Sequence, residues 1–172
     1  MKKIFRYMVA LLIVFPFIIF IYIAKIFIGK EKAVRLCGPY ATSLAKYFLK
    51  LMLPQIDKPE DFGLFRSKTK EKFWLWRPLY DFEIKEENEN ILKLNFWNCP
   101  FCEVLSLSGL PELNQHVCQG DWELAKENYD KWEFEREHEI GKGDSFCDHT
   151  YKRITPINNL KTAQPVAALD AK

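Results

Sequence analysis

From Tyr7 to Ala24 the chain carries no charged residue, and Ile26, Phe27 and Ile28 extend the apolar run past Lys25. About 20 apolar residues cross the hydrocarbon core of a bilayer, so the length fits a membrane-spanning helix around which the rest must be arranged. Pro16 removes one backbone donor, a loss that a membrane helix absorbs by local adjustment. Lys2, Lys3 and Arg6 give the basic start that a cleaved signal peptide would also have. The apolar run nevertheless exceeds a signal core, and its end, Tyr22 to Ile26, offers no pair of small residues to a peptidase. Arg35 and Leu36 ahead of Cys37 likewise speak against a lipoprotein site. The expectation is an uncleaved, single-pass anchor in a lipid bilayer. Basic residues flank it on both sides, Lys2, Lys3 and Arg6 against Lys25, Lys30, Lys32 and Arg35, so the positive-inside rule barely chooses an orientation. Free thiols survive best in a reducing compartment, which favours the cytoplasmic side for the soluble part.

Behind the anchor there is room for one domain. The 25 basic residues are interspersed with 23 acidic ones for a net charge of +2, so no basic footprint for a nucleic-acid partner exists. Five cysteines are an odd number, and complete pairing within one chain is excluded.

The periodicity predicts an α+β fold: an antiparallel sheet in the order strand, strand, helices, strand, strand, preceded by N-terminal helices and the transmembrane helix. The expected divisions are an anchor over residues 1–30, a helical linker region over 31–78, an α+β domain over 79–154 and a disordered tail over 155–172. Within the linker region, Val34, Leu36, Leu44, Tyr47, Phe48 and Leu51 read as helical material broken at Gly38-Pro39. Residues 55–72 suit a loop or short helix over the surface. From Leu79 the period becomes two, with Tyr80, Phe82 and Ile84 on one face, and Leu92, Leu94 and Phe96 repeat it after a polar turn. Pro100 suits the first position of a helix capped by Cys99 or Asn98, and Gly109 suits its end. Pro111 starts a second helix ending near Gly120, and Asp121 caps a third with Trp122, Ala125, Tyr129 and Trp132 on one face. Strands then follow from Trp132 to His138 and from Ser145 to Arg153.

The sharpest chemical signal is Cys99-Pro-Phe-Cys102 at a strand-to-helix junction. A thiol at a helix N-terminus meets free amides and the positive end of the helix dipole, which makes Cys99 the best placed nucleophile. Two buried cysteines acting only as small apolar residues are the plainer reading. The pair Cys99 and Cys102 also resembles the redox loop of thioredoxin-like proteins, where one thiol attacks a disulfide and the other resolves it. Cys99, Cys118 and Cys147, with His149 or Cys102 as a fourth ligand, form a candidate zinc set by residue type, although no standard ligand spacing is present.

A broader resemblance spans residues 79–153. Asn98-Cys99-Pro100 with Glu103, Gly109-Leu-Pro-Glu-Leu113, Cys118 with Asp121, and Glu135-Arg136 leading to Gly141, Gly143 and Cys147-Asp148 resemble the L-2-amino-thiazoline-4-carboxylic acid hydrolases in order and spacing. The resemblance implies a small-molecule substrate whose cyclic carbon–nitrogen bond is hydrolysed, and a site where Cys99, Cys118 and Cys147 meet. Beside it, the physics of the positions makes Cys99 the nucleophile and Asp121 or Glu103 the proton carrier. Asp121 as a helix cap and Glu103 as a complement to a helix dipole are the structural alternatives. Three departures stand out: an anchor replaces the longer, soluble N-terminal region expected of typical members, His149 occupies a place where an aromatic residue is expected, and Cys102 is an addition. Three functions follow in order: a membrane-anchored hydrolase-like protein, a thiol-disulfide oxidoreductase, and a non-catalytic membrane-anchored binding module suggested by the 15% aromatic content.

Overall fold

The computed structural model describes residues 2–154; the tail expected to be disordered, 155–172, lies outside the described residues. Two six-residue strands, β1 (Phe82–Glu87) and β2 (Ile91–Phe96), form the expected hairpin. Its turn is closed by Asn88, whose side-chain oxygen accepts the Asn90 N–H at 2.9 Å. The chain then forms α5 (Pro100–Leu107), a 3-10 turn (Pro111–Leu113) and α6 (Asn114–Glu127), and returns through β3 (Trp132–Glu135) and β4 (Cys147–Arg153). All pairings are antiparallel and the order is β1-β2-β4-β3. Leu92, Leu94 and Phe96 of β2 stand opposite Tyr151, His149 and Cys147 of β4. By the two-residue alternation of a strand, these side chains share one face of the sheet. The outer strand β1 is exposed along its length after Phe82, so the half-buried alternation expected through Ile84 ends one residue pair early, at a register shift between Ile84 and Glu86.

Gly109 ends α5 with φ +69, and the Leu110 and Gly109 amides bond back to the Leu105 and Ser106 carbonyls at 2.9 and 3.0 Å. This Schellman closure brings Leu110 into the same apolar cluster as Leu105.

Ahead of the sheet lie α1 (Lys2–Ile28), α2 (Lys30–Met52), a 3-10 turn (Pro59–Asp61), α3 (Phe62–Glu71) and the single turn α4 (Phe73–Trp76). Two expected helix breaks are absent. The α2 helix continues through Gly38-Pro39, and α6 continues through Gly120-Asp121. Both glycines are there for close approach: a Cβ on Gly38 would sit 2.3 Å from the His116 ring of α6, and one on Gly120 would sit 2.7 Å from Ala45 Cβ of α2. Each helix thus supplies the notch that the other fills. Residues 62–71 form a short helix, one of the two expected forms, but do not merely lie over the surface, because Phe62 and Phe65 are wholly buried and stack within the main core at 5.7 Å.

That main core is aromatic, uniting Phe65, Trp76, Phe96, Trp132, Phe134 and Tyr151 beneath the sheet. A second cluster joins Ala10, Val14, Ile18 and Ile21 of α1 to Cys37 of α2 and Val104 of α5. The α1 helix is long and apolar enough to cross a membrane. Along its inner stripe it nonetheless packs on the domain, pinned at one end by Lys2 and Arg6 on Asp81 (2.6 and 2.7 Å) and near the other by Tyr22 donating to the Ser108 carbonyl (2.6 Å). Its outer face presents Phe5, Leu12, Phe20, Ile26 and Phe27 uncovered, a larger apolar surface than a water-facing helix normally shows.

Candidate active site

A cavity of about 110 Å³ lies between the sheet and the helices. Its polar end is formed by Cys99 at the start of α5, Cys118 and Asp121 on α6, and Cys147, His149 and Tyr151 on β4, with Tyr80 beside them. Cys118 and Asp121 share a face of α6 because they are three residues apart, and the β4 residues share a face because they alternate. Two elements therefore deliver five of these side chains without any loop having to place them. Glu103 does not line the cavity; its Oε2 is buried elsewhere on α5, with no hydrogen-bond partner among the described residues.

All five cysteines are free thiols. Four of them form a connected run, in which Cys99 contacts Cys102, Cys102 contacts Cys118, and Cys118 contacts Cys147. Cys37 stands apart in the cluster beneath α1. Cys99 is the N-cap residue of α5, as expected, but its thiol makes no hydrogen bond to the helix amides. The charge-favouring surroundings belong to Cys118 instead. The neighbouring Cys102 and Cys147 thiols, then the nearby Arg136 charge and the Gly141 backbone, outweigh burial and hold its thiol far below the ordinary range. Gly141 approaches so closely that a Cβ there would lie 2.6 Å from Cys118 Sγ. The same contact with Cys118, together with burial, pushes the Cys147 thiol up, so it remains protonated. Cys147 Sγ also receives the Ile140 N–H at 3.2 Å.

The sequence model of the L-2-amino-thiazoline-4-carboxylic acid hydrolase family matches residues 9–151. The chain belongs to that family. The match begins inside α1, so most of the apolar helix lies within the family's span and is not the replacement of a family region that the sequence suggested; that span is also wider than the 79–153 stretch whose motifs are legible by eye. No curated protein matches the chain.

Within this hydrolase-family fold, Arg136 organises the polar end from behind the cavity wall. Its side chain is fully buried and donates to Asp121 Oδ2 at 2.7 Å and to the Cys118 carbonyl at 2.9 Å. Glu139 Oε1 lies 3.1 Å from it on the other side, and the rings of Trp122 and Phe134 cover it at 5.5 and 5.7 Å. Burial disfavours its charge, but Asp121, Cys118 and Glu139 more than compensate, so Arg136 stays cationic. Asp148 is not part of the cavity; its Oδ1 receives the Glu137 and His138 amides at 3.0 and 2.6 Å and fixes the chain between β3 and β4.

His149, where the family pattern leads one to expect an aromatic residue, sits among aromatics, 4.8 Å from the Phe96 ring and edge-on to Phe134 at 5.5 Å. Burial lowers its pKa against the opposing pull of Asp121, whose Oδ1 is 3.9 Å from Nδ1, so the imidazole is neutral at neutral pH. Burial keeps the Tyr80 and Tyr151 phenols protonated. Among the described residues no group of three His, Cys, Asp or Glu side chains converges in a way that could hold a metal ion. The thiols form a run and do not surround a point.

Sequence reasoning named Cys99, Cys118, Cys147 and Asp121, which share the cavity, and passed over Tyr80, Tyr151 and the supporting roles of Arg136 and Gly141. The alternation Cys147, His149, Tyr151 was the available signal, as three polarisable groups on one face of a strand.

Proposed function

We propose that the protein is a membrane-anchored hydrolase that opens a carbon–nitrogen bond of a cyclic amidine or amide, with the Cys118 thiolate as nucleophile. The observation that carries this reading is the placement of Cys118 on the cavity wall, with the Gly141 backbone close against its Sγ, Cys147 beside it in the lining and the buried Arg136 guanidinium bonded to its carbonyl, surroundings that favour the sulfur anion. In the reaction Cys118 Sγ attacks the electrophilic carbon and the C–S bond forms as the C–N bond breaks. The departing nitrogen takes a proton that His149 passes in from solvent. Water then attacks the thioester left by an amide, or the thioimidate left by an amidine, His149 accepts its proton and returns it to solvent, the C–S bond breaks and the thiolate is restored. The Tyr80 hydroxyl donates to the oxygen or nitrogen that gains charge. Asp121 acts on His149 and Arg136 acts on Cys118 and Asp121 as positioning residues. Cys99, at the cavity edge, contacts Cys102 and has a supporting place.

Family membership supports the bond type, and the apolar outer face of α1 supports the membrane. The full chain in phospholipid nanodiscs, incubated with L-2-amino-thiazoline-4-carboxylate and a panel of neutral amides, is expected to turn over at least one compound. Cys118→Ala is expected to abolish turnover, and Cys99→Ser to retain it. Turnover that survives Cys118→Ala and is lost with Cys99→Ser would reject the assignment.

A further inference from the structure

The cavity lining combines two chemistries. Besides the polar groups it is made of apolar side chains, among them Ile13, Val14 and Phe17 of α1, Leu44 and Phe48 of α2 and Phe101 of α5. Among the described residues no lysine or arginine lines it, and the nearby cation Arg136 is fully enclosed and bonded to Asp121 and Glu139. A substrate carboxylate would therefore meet the Asp121 carboxylate and the Cys118 sulfur with no positive charge to balance it, and an unpaired buried charge is costly. An amino-acid head is the wrong shape of charge for this site.

The α1 helix contributes both apolar lining and the uncovered apolar outer face, so the recess is bounded by the helix that the membrane-anchored reading places against lipid. We infer that the substrate is a neutral amide bearing an unbranched apolar chain, which lies against α1 and α2 while its head faces Cys118. This deepens the hydrolase reading and rests on it for the position of the head. It replaces a polar, charged substrate with a lipid-soluble one.

The test uses the full chain in phosphatidylcholine nanodiscs with decanamide carrying a terminal diazirine. Photolysis expels dinitrogen and the carbene inserts into a neighbouring C–H bond, and peptide mapping locates it. Label is expected on peptides holding residues 13–17 and 41–52. Excess decanamide should suppress it, acetamide should not, and decanoate should compete about tenfold or more weakly, because its carboxylate finds no partner. Leu44→Trp, which fills the recess, should lose the label, and the smaller change Ala41→Leu serves if that variant does not fold. Label that decanamide fails to suppress, or that decanoate suppresses equally well, overturns the inference. Competable label in Cys118→Ser, with an unreactive Cys118 in the parent chain, would defeat the nucleophile and leave the chain-binding recess standing. A reactive Cys118 without competable label would do the reverse.

Discussion

Arg136 and Asp121 form a buried ion pair of 2.7 Å, the arginine side chain wholly enclosed and the aspartate largely so. The pair reaches across from the end of β3 to the middle of α6, and ties the helix carrying Cys118 to the segment carrying Gly141. Removing one partner of such a pair strands the other charge in the interior. Arg136→Met is expected to destabilise the fold by about 3–5 kcal/mol, read as a loss in urea unfolding free energy. A change within experimental error would show that Arg136 is dispensable.

Reciprocal notches make a second prediction. Gly120→Ala places a Cβ 2.7 Å from Ala45 Cβ and 2.9 Å from the Lys46 nitrogen, with backbone and a short side chain to move. The expected cost is about 1–3 kcal/mol. Gly38→Ala clashes with the His116 ring instead, so pairing it with His116→Ala should recover part of its loss in a double-mutant cycle.

These two glycines also show why part of the site was hidden in the sequence. The hairpin was legible because Leu92, Leu94 and Phe96 alternate without interruption, and α5 was legible because Pro100 and Gly109 mark its ends with residues that have few other uses. Gly120, by contrast, carries the same local signal whether it ends a helix or admits a neighbour. Read as an end, it made Asp121 a cap and separated it from Cys118, although the two lie on one face of α6. The preference for Cys99 over Cys118 had the same origin. A helix N-terminus can be recognised locally, whereas the amide of Gly141 and the charge of Arg136 reach Cys118 only through the tertiary fold. His149 was weighed as a metal ligand because nothing local reveals that Phe96 and Phe134 enclose it.

The buried imidazole sets an expectation for acid stability. Burial lowers the folded-state pKa of His149 below its unfolded value, so the unfolded chain binds the proton more readily. Its neutral form is accommodated in full above the unfolded value of about 6.5, and stability falls as pH drops below that. His149→Phe should flatten the loss between about pH 6.5 and 5. Urea unfolding of both forms across that range checks it, and parallel curves would contradict it.

The inner stripe of α1 covers Val104, Leu105 and Leu110. Deleting residues 2–28 should expose that cluster and give a chain that aggregates on size exclusion, while the full chain floats with phosphatidylcholine vesicles and resists alkaline carbonate extraction. A monodisperse truncated domain would show that α1 is a tether alone.

Cys118 as the reactive thiolate is the centre of the account. The most direct measurement is iodoacetamide alkylation of the full chain from about pH 5 to 8.5, with all five thiols followed by peptide mapping. Cys118 is expected to be alkylated first, at a rate that holds nearly level to the acid end, because its surroundings keep it ionised. Faster labelling of Cys99, or a Cys118 rate that climbs with pH as an ordinary thiol near 8.5 would, contradicts it.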